Sequence, residues 1–182
     1  MKFEDFPDDL NLRQYSVKEL KTYAKGFLAE KEDRLEGLIE RVSSDLDIDR
    51  SKLDFSDQSL AILTLWFNSK IEFVKLTQEE YEIKRASFPE YIKIDDVKYS
   101  QDTFSLIYEV GIYFGETIIH KYPQLKWEQI FRKTVDYGHV VIMLGKLPMN
   151  PCWLMGTLCW GKFRRNEEPK LLELFKIWER YL

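Results

Sequence analysis

The amino-acid sequence predicts an α+β fold, with helices around a central buried helix at about residues 100–122 and a small antiparallel sheet in the C-terminal half. Three observations lead to this prediction. Residues 100–122 repeat apolar side chains at steps of three and four, which is typical of a buried helix. Most of the chain before them shows helical patterns that begin at capping residues. After residue 123, apolar side chains alternate with polar ones or run together, as in strands.

The central helix is predicted to begin at Ser100, whose hydroxyl can cap the first turn. It should end before Pro123, because a proline pushes the preceding residue out of the helical region. Gly111 and Gly115 lie about one turn apart in this helix. A glycine costs about 1 kcal/mol relative to alanine in a helix interior, so close packing is expected to offset that cost. We therefore expect a neighbouring element to approach the helix along these two glycines.

The segment before the central helix is predicted to contain two further long helices. Ser16 and Glu19 form a capping-box pattern ahead of an amphipathic helix, which is expected to bend or break near Gly26 or Gly37. Ser56 begins a second helix that is apolar nearly all round. We expect this second helix to pack on the two central glycines.

After the central helix, the pattern predicts a β-hairpin and then a segment of undecided structure. Residues 125–132 nearly alternate, residues 139–144 are an apolar run, and residues 136–138 have turn chemistry. Residues 152–160 are predicted to form either a third strand or a short buried helix, because periodicity does not separate the two over so few residues. Asn166 is predicted to cap a C-terminal helix.

Composition limits the class of protein. The chain has 182 residues, 45% of them hydrophobic, which suits a single domain, 1–182, with residues 1–50 as a helical N-terminal extension. The net charge is −4, and the excess of acidic residues lies in the first third of the chain. The sequence lacks the basic stripe of a nucleic-acid-binding protein, whereas an acidic face suits a basic protein partner.

The sequence predicts a cytoplasmic protein without a membrane segment. Its acidic N-terminus does not resemble a secretory signal, and no apolar run reaches the length of about 18 residues that a spanning helix needs. Cys152 and Cys159 match neither a disulfide scaffold nor a standard zinc motif. We expect both to be buried free thiols in a reducing compartment.

No catalytic or cofactor signature is present in the sequence, which lacks a phosphate-binding glycine-rich loop and a nucleophile elbow. Asp45, Asp47 and Asp49 alternate like the start of a calcium loop. Arg50 and Ser56, however, stand where such a loop requires glycine and glutamate. A zinc site needs three or four protein ligands, and the chain has only two histidines and two cysteines to offer. We therefore predict no metal and no cofactor.

Two stretches resemble a group of uncharacterised bacterial proteins. The first, residues 54–60, reads D-x-S-x-x-S-L and begins a helix. The second, residues 111–116, reads G-x-Y-x-G-E and is followed by Pro123 and Trp127. The resemblance covers about residues 53–150. It implies similarity to small cytosolic immunity or accessory proteins of bacterial toxin systems.

The favoured hypothesis is a non-enzymatic protein that binds a basic protein partner through an acidic surface. On the resemblance, that partner is a toxin and the chain is an immunity-type protein. Six acidic residues of the first helix and the connection after it are the candidate contacts: Glu32, Glu36, Glu40, Asp45, Asp47 and Asp49.

Two alternatives stay open, a small-molecule sensor domain and a hydrolase. Both would use a pocket on the polar side of the central helix. Its candidate residues are Glu109, Tyr113, Glu116, His120 and Trp127. In the hydrolase, Glu116 and His120 would do acid–base chemistry together with His139, and in the sensor Trp153 would add to the lining. Either alternative predicts that Glu116 and His120 converge with Tyr113 in a concave pocket.

Overall fold

The computed structural model describes residues 12–132 and 134–182 of the chain. The helices in this part are α1 (Val17–Leu46), α2 (Asp57–Lys70), α3 (Gln78–Ala86), α4 (Gln101–Lys121), α5 (Pro151–Arg165) and α6 (Leu171–Glu179). The strands are β1 (Phe73–Lys75), β2 (Val97–Tyr99), β3 (Trp127–Gln129), β4 (Val140–Leu144) and β5 (Leu147–Met149). Short 3-10 helices lie at Leu12–Gln14 and Arg50–Lys52. The predicted α+β class is confirmed, with a small antiparallel sheet in the C-terminal half.

Helix α4 lies at the centre of the fold, as predicted. The hydroxyl of Ser100 accepts a hydrogen bond from the backbone N–H of Thr103, and the helix ends at Lys121, just before Pro123. Fourteen of its 21 residues are buried, and it contacts α1, α2, α5, α6 and β2. Neither α4 nor any other helix of the described residues is long and apolar enough to cross a membrane.

The two central glycines mark the closest contacts of α4. A Cβ atom on Gly111 would lie 2.8 Å from the Cα atom of Cys152 in α5, and a Cβ atom on Gly115 would overlap the indole ring of Trp127 in β3. Helix α5 and strand β3 therefore fill the groove that the glycines leave. The prediction that α2 packs there is wrong, because the α5 backbone already occupies the space beside the first glycine.

Helix α1 is one continuous helix of 30 residues. Its capping box is confirmed, since the Ser16 hydroxyl accepts from the backbone N–H of Glu19, and the carboxylate of Glu19 accepts from the backbone N–H of Ser16. A break near Gly26 or Gly37 is wrong, because both glycines lie inside the uninterrupted helix. The buried side chains of α1 belong to the same hydrophobic cluster as those of α2, α4 and α5.

Two small antiparallel sheets join the helices. Strand β1 pairs with β2, while β3, β4 and β5 form a three-stranded sheet in that order. In the larger sheet, Ile142 of β4 lies between Trp127 of β3 and Met149 of β5. The connection from β3 to β4 passes through Gly138, whose φ of 84° favours glycine. The sequence pattern does not predict the β1–β2 pair, because strands of three residues are too short to show a period.

The undecided segment 152–160 is helical and forms most of α5. The side chain of Asn150 accepts from the backbone N–H of Trp153 and caps this helix. The prediction that Asn166 begins the last helix is wrong. It ends α5 instead, with a left-handed φ of 55° that asparagine tolerates, and α6 begins at Leu171.

The two cysteines of the chain, Cys152 and Cys159, both lie in α5. They are buried free thiols, as predicted. Burial raises the pKa of each thiol to about 12, so that neither is a thiolate near neutral pH. Both cysteines therefore serve as small apolar core residues.

Gly111→Ala is expected to destabilise the fold, because the added methyl group would meet the backbone of Cys152. Overpacking of this kind lowers the free energy of unfolding by about 1–3 kcal/mol. Gly26→Ala is the matched control. A Cβ atom there meets nothing within 4 Å, and alanine should stabilise this helix interior by about 0.5–1 kcal/mol. Urea unfolding followed by circular dichroism measures both effects, and equal effects would contradict the close contact between α4 and α5.

Candidate functional site

The six candidate partner contacts lie on the second half of α1 and on the connection that follows it. We call them the acidic face: Glu32, Glu36, Glu40, Asp45, Asp47 and Asp49. All six residues are exposed. The three glutamates recur every four residues, so that they lie along the same side of α1.

The glutamates of the acidic face are weakly engaged within the chain. Glu32 pairs with Lys31 at 2.7 Å, and Glu36 forms an ion pair with Arg50. The side chains of Glu32 and Glu36 are 71% and 67% exposed. Exposed ion pairs contribute only about 0–1 kcal/mol to stability. Glu40 has no hydrogen-bond or ion-pair partner among residues 12–132 and 134–182. Glu32 and Glu36 can therefore exchange their partners at little cost, and Glu40 has none among the described residues to give up.

The aspartates of the acidic face hold local structure. Asp45 accepts hydrogen bonds from the ammonium of Lys70 and the indole N–H of Trp66, both at 2.8 Å, and these bonds lower the pKa of its carboxyl. Asp49 caps the second 3-10 helix by accepting from a backbone N–H at 2.8 Å. Asp47 ends α1 in the left-handed region, with a φ of 51°. Substitution of the aspartates would therefore disturb folding as well as charge.

Among the pocket candidates, Glu116 of α4 is held between α1 and β3. Its carboxylate accepts hydrogen bonds from the Lys31 ammonium at 2.6 Å and from the Trp127 indole N–H at 2.7 Å. The side chains of Glu116 and Lys31 are only 19% and 14% exposed. Burial disfavours the charge on Lys31, but hydrogen bonds to Glu116 and Glu32 outweigh it and raise the pKa of the ammonium. Glu116 thus links three elements of the fold.

Glu109, two turns earlier on α4, also faces α1. It is 7% exposed and forms an ion pair with Arg41, whose side chain is 49% exposed. Burial raises the pKa of the Glu109 carboxyl, although Arg41 and Arg34 oppose that rise. A carboxyl with a shifted pKa can mark an acid–base catalyst. Here, burial of the carboxyl in the contact between α4 and α1 accounts for the shift.

Tyr113 and His120 lie near the start of α2 rather than near α1. The Tyr113 hydroxyl donates to the Ser59 hydroxyl at 2.8 Å and accepts from the backbone N–H of Phe55 at 3.1 Å. His120 is exposed, and its ring centroid lies 5.6 Å from that of Phe55. Glu116 has other neighbours, so the observed contacts do not gather Glu116, His120 and Tyr113 into one pocket.

Two surface grooves on the described residues lie away from this polar side of α4. One has a volume of about 630 Å³ and is lined by Lys75, Leu76, Thr77, Gln78, Tyr81, Lys93, Ile94, Asp95 and Asp96. The other, of about 480 Å³, follows the first half of α1 and is lined by Val17, Lys18, Lys21, Thr22 and Lys25. Steps of three and four place the lysines of this second groove on one side of the helix, which is the only sign of it in the sequence.

The remaining candidates of the alternatives, His139 and Trp153, lie outside α4. His139 is 5% exposed just before β4, and Trp153 is 49% exposed on α5. Across residues 12–132 and 134–182, no group of three or more His, Cys, Asp or Glu side chains is arranged to hold a metal ion.

Comparison with protein-family models, with curated proteins and with solved structures gave no match. The resemblance to immunity and accessory proteins therefore stays a prediction.

Glu116→Ala is expected to lower the free energy of unfolding by about 1–3 kcal/mol, because it leaves the Trp127 indole N–H without its acceptor and Lys31 with only the exposed Glu32. Glu32→Ala is the matched control, since it removes an exposed acceptor of the same lysine and should change stability by about 0.5 kcal/mol at most. Denaturant unfolding measures both. Equal stability of the two variants would contradict the structural role of Glu116 and would favour the sensor or hydrolase.

Glu109→Gln should gain stability relative to wild type as the pH rises. The folded protein holds the Glu109 proton to a higher pH than the unfolded chain, because its pKa is raised above the ordinary value of 4.5. The stability of wild type therefore falls as the pH rises from below 4.5 through the raised pKa, whereas glutamine lacks this loss. Urea unfolding at about pH 4 and about pH 7 tests the sign. A variant that instead loses stability relative to wild type would mean that Arg41 outweighs burial.

Proposed function

We propose that this chain is a non-enzymatic protein that binds a basic protein partner through the acidic face. The observation that supports this proposal is the exposure of all six acidic residues on one helix and its following connection. The negative electrostatic field of exposed carboxylates attracts a positively charged partner and speeds the encounter of the two proteins. The net charge of −4 adds to this attraction.

The glutamates are the better candidates for direct contact. Glu32, Glu36 and Glu40 span about 12 Å along the axis of α1, so that they can contact several cations of a partner at once. Arg50 is exposed, and Lys31 keeps Glu116 as a partner, so that a partner cation can replace either of them at Glu36 or Glu32 without leaving a buried charge unpaired. The aspartates contribute to the field while they hold the end of α1.

Toxin neutralisation is the specific form of the proposal, and it rests on the resemblance. An immunity-type protein would place its acidic face over a basic site of the toxin. The polar side of α4 does not favour the sensor or the hydrolase, because its carboxylates pair with α1 within the chain.

A pull-down from a lysate of the source organism tests the proposal, with mass spectrometry as the readout at about 0.05 M and about 0.5 M salt. The wild type should retain a basic protein at low salt and release it at high salt. The triple variant Glu32→Lys, Glu36→Lys, Glu40→Lys should lose that protein at both salt concentrations. For a toxin, the wild type but not this variant should also relieve its effect on growth.

The matched control reverses three exposed glutamates elsewhere: Glu79→Lys, Glu90→Lys and Glu168→Lys. This control variant changes the net charge by the same amount and should still bind the basic partner. Absence of a basic partner at both salt concentrations contradicts the proposal. Equal loss from the two triple variants would mean that net charge, and not the acidic face, attracts the partner.

A further inference from the structure

One stripe on the exposed side of α1 is divided by charge. Its first half carries lysines and its second half carries glutamates. We call these six residues the charged stripe: Lys18, Lys21, Lys25, Glu32, Glu36 and Glu40. All six are exposed, as are Leu28 and Ala29 between the two halves. The charged stripe is thus a continuous surface outside the core.

The stability of α1 itself does not explain this order of charges. A helix carries partial positive charge at its N-terminus and partial negative charge at its C-terminus, so that cations are favoured in the last turn. The charged stripe has the opposite order, with Lys18 in the first turn and no basic residue in the last turn. The order therefore opposes the helix dipole.

The charged stripe is symmetric about a point between Leu28 and Ala29. Each lysine has a glutamate at the same sequence distance on the other side of that point, within one residue. The pairs are Lys25 with Glu32, Lys21 with Glu36, and Lys18 with Glu40. A two-fold rotation about an axis that passes through this point, perpendicular to α1, exchanges the lysine half with the glutamate half.

We propose that a second copy of this chain docks on α1 in the antiparallel orientation, with the lysines of each copy against the glutamates of the other. With a two-fold axis near Leu28 and Ala29, each of the three lysine–glutamate pairs forms between the copies, and each forms twice. The 44% exposed Leu28 side chain is then covered across the axis, and the small Ala29 lets the two helices approach. Such an interface is isologous, because one surface meets its own copy.

Charge selects the antiparallel orientation. A parallel arrangement sets lysine against lysine and glutamate against glutamate, and like charges placed opposite each other are unfavourable. The groove of about 480 Å³ along the first half of α1 gives the glutamates of the second copy a place beside the three lysines that line it.

The association is modest in strength and sensitive to salt. Lys31 and Arg50 compete within the chain for Glu32 and Glu36, and both glutamates are exposed. Screening shortens the reach of such charges from about 30 Å at 0.01 M salt to about 8 Å at 0.15 M salt. Low salt is therefore the condition in which the dimer forms.

The inference does not rest on the proposed function, although both use the glutamates. A second copy on α1 would cover the glutamates and exclude a basic partner from them. The lysines belong to the contact between copies alone. Reversal of the lysines therefore tests this inference without touching the proposed partner site.

Sedimentation equilibrium of the full chain tests the proposal. The wild type should be dimeric at about 0.02 M salt and monomeric at about 0.5 M salt. One variant reverses the lysines (Lys18→Glu, Lys21→Glu, Lys25→Glu) and another reverses the glutamates (Glu32→Lys, Glu36→Lys, Glu40→Lys). Each should raise the dissociation constant of the dimer about tenfold or more, since like charges then face each other. An equimolar mixture of the two variants should form dimers again, and circular dichroism checks that both are folded.

Ala29→Cys tests the position of the axis. Thiols introduced there face each other in the dimer, within the Cα separation of about 4.4–6.8 Å that a disulfide needs. Mild oxidation should cross-link this variant. Ser44→Cys, on the same helix but far from the axis, should stay monomeric, and the buried native thiols should not react.

Three results would overturn the proposal. They are a wild type that is monomeric at low salt, a dimer that neither reversal weakens, and two reversed variants that fail to associate with each other. If the lysine-reversed variant loses the dimer but keeps a basic partner, this inference and the proposed function both stand. Loss of the partner alone would contradict only the proposed function.

Discussion

The close contact of α4 with its neighbours at two glycines determines the rest of the structure. Helix α5 comes this near because Gly111 has no side chain, and β3 rests its indole on α4 because Gly115 has none. The same indole, on Trp127, donates to Glu116, which also accepts from Lys31 of α1. The placement of α1 against α4 thus depends on β3, which approaches α4 this closely because Gly115 has no side chain.

Carboxylates of the chain divide into two sets with different environments. Glu109 and Glu116 of α4 are largely buried, and each is paired with a cation of α1. Removal of such a partner leaves a charge in a poorly solvated place, which is costly. Glu36 and Glu40 on the outer side of α1 are solvated, so that the pair of Glu36 with Arg50 forms and breaks at little cost. The first set suits assembly of the fold, and the second suits recognition of another molecule.

Local signals in the sequence predict much of the fold. The periodicity and the Ser100 cap define α4, and the exposure of the glutamates follows from the amphipathic pattern of α1. Contacts between distant parts of the chain are not predictable in this way. Gly111 indicates that something approaches α4, but not that the approaching backbone belongs to Cys152. Asn166 suits either end of a helix, and its neighbours decide which.

The two sides of α1 are subject to different constraints during evolution. Replacement of Arg41 or Lys31 removes a cation that pairs with a largely buried carboxylate of α4, so that a matching change on α4 is expected to accompany it. Residues of the charged stripe do not belong to the hydrophobic core and have no partner there. Mutations there can accumulate while the fold is maintained. Descendants of one ancestral chain could therefore diverge in what they recognise while every helix stays in place.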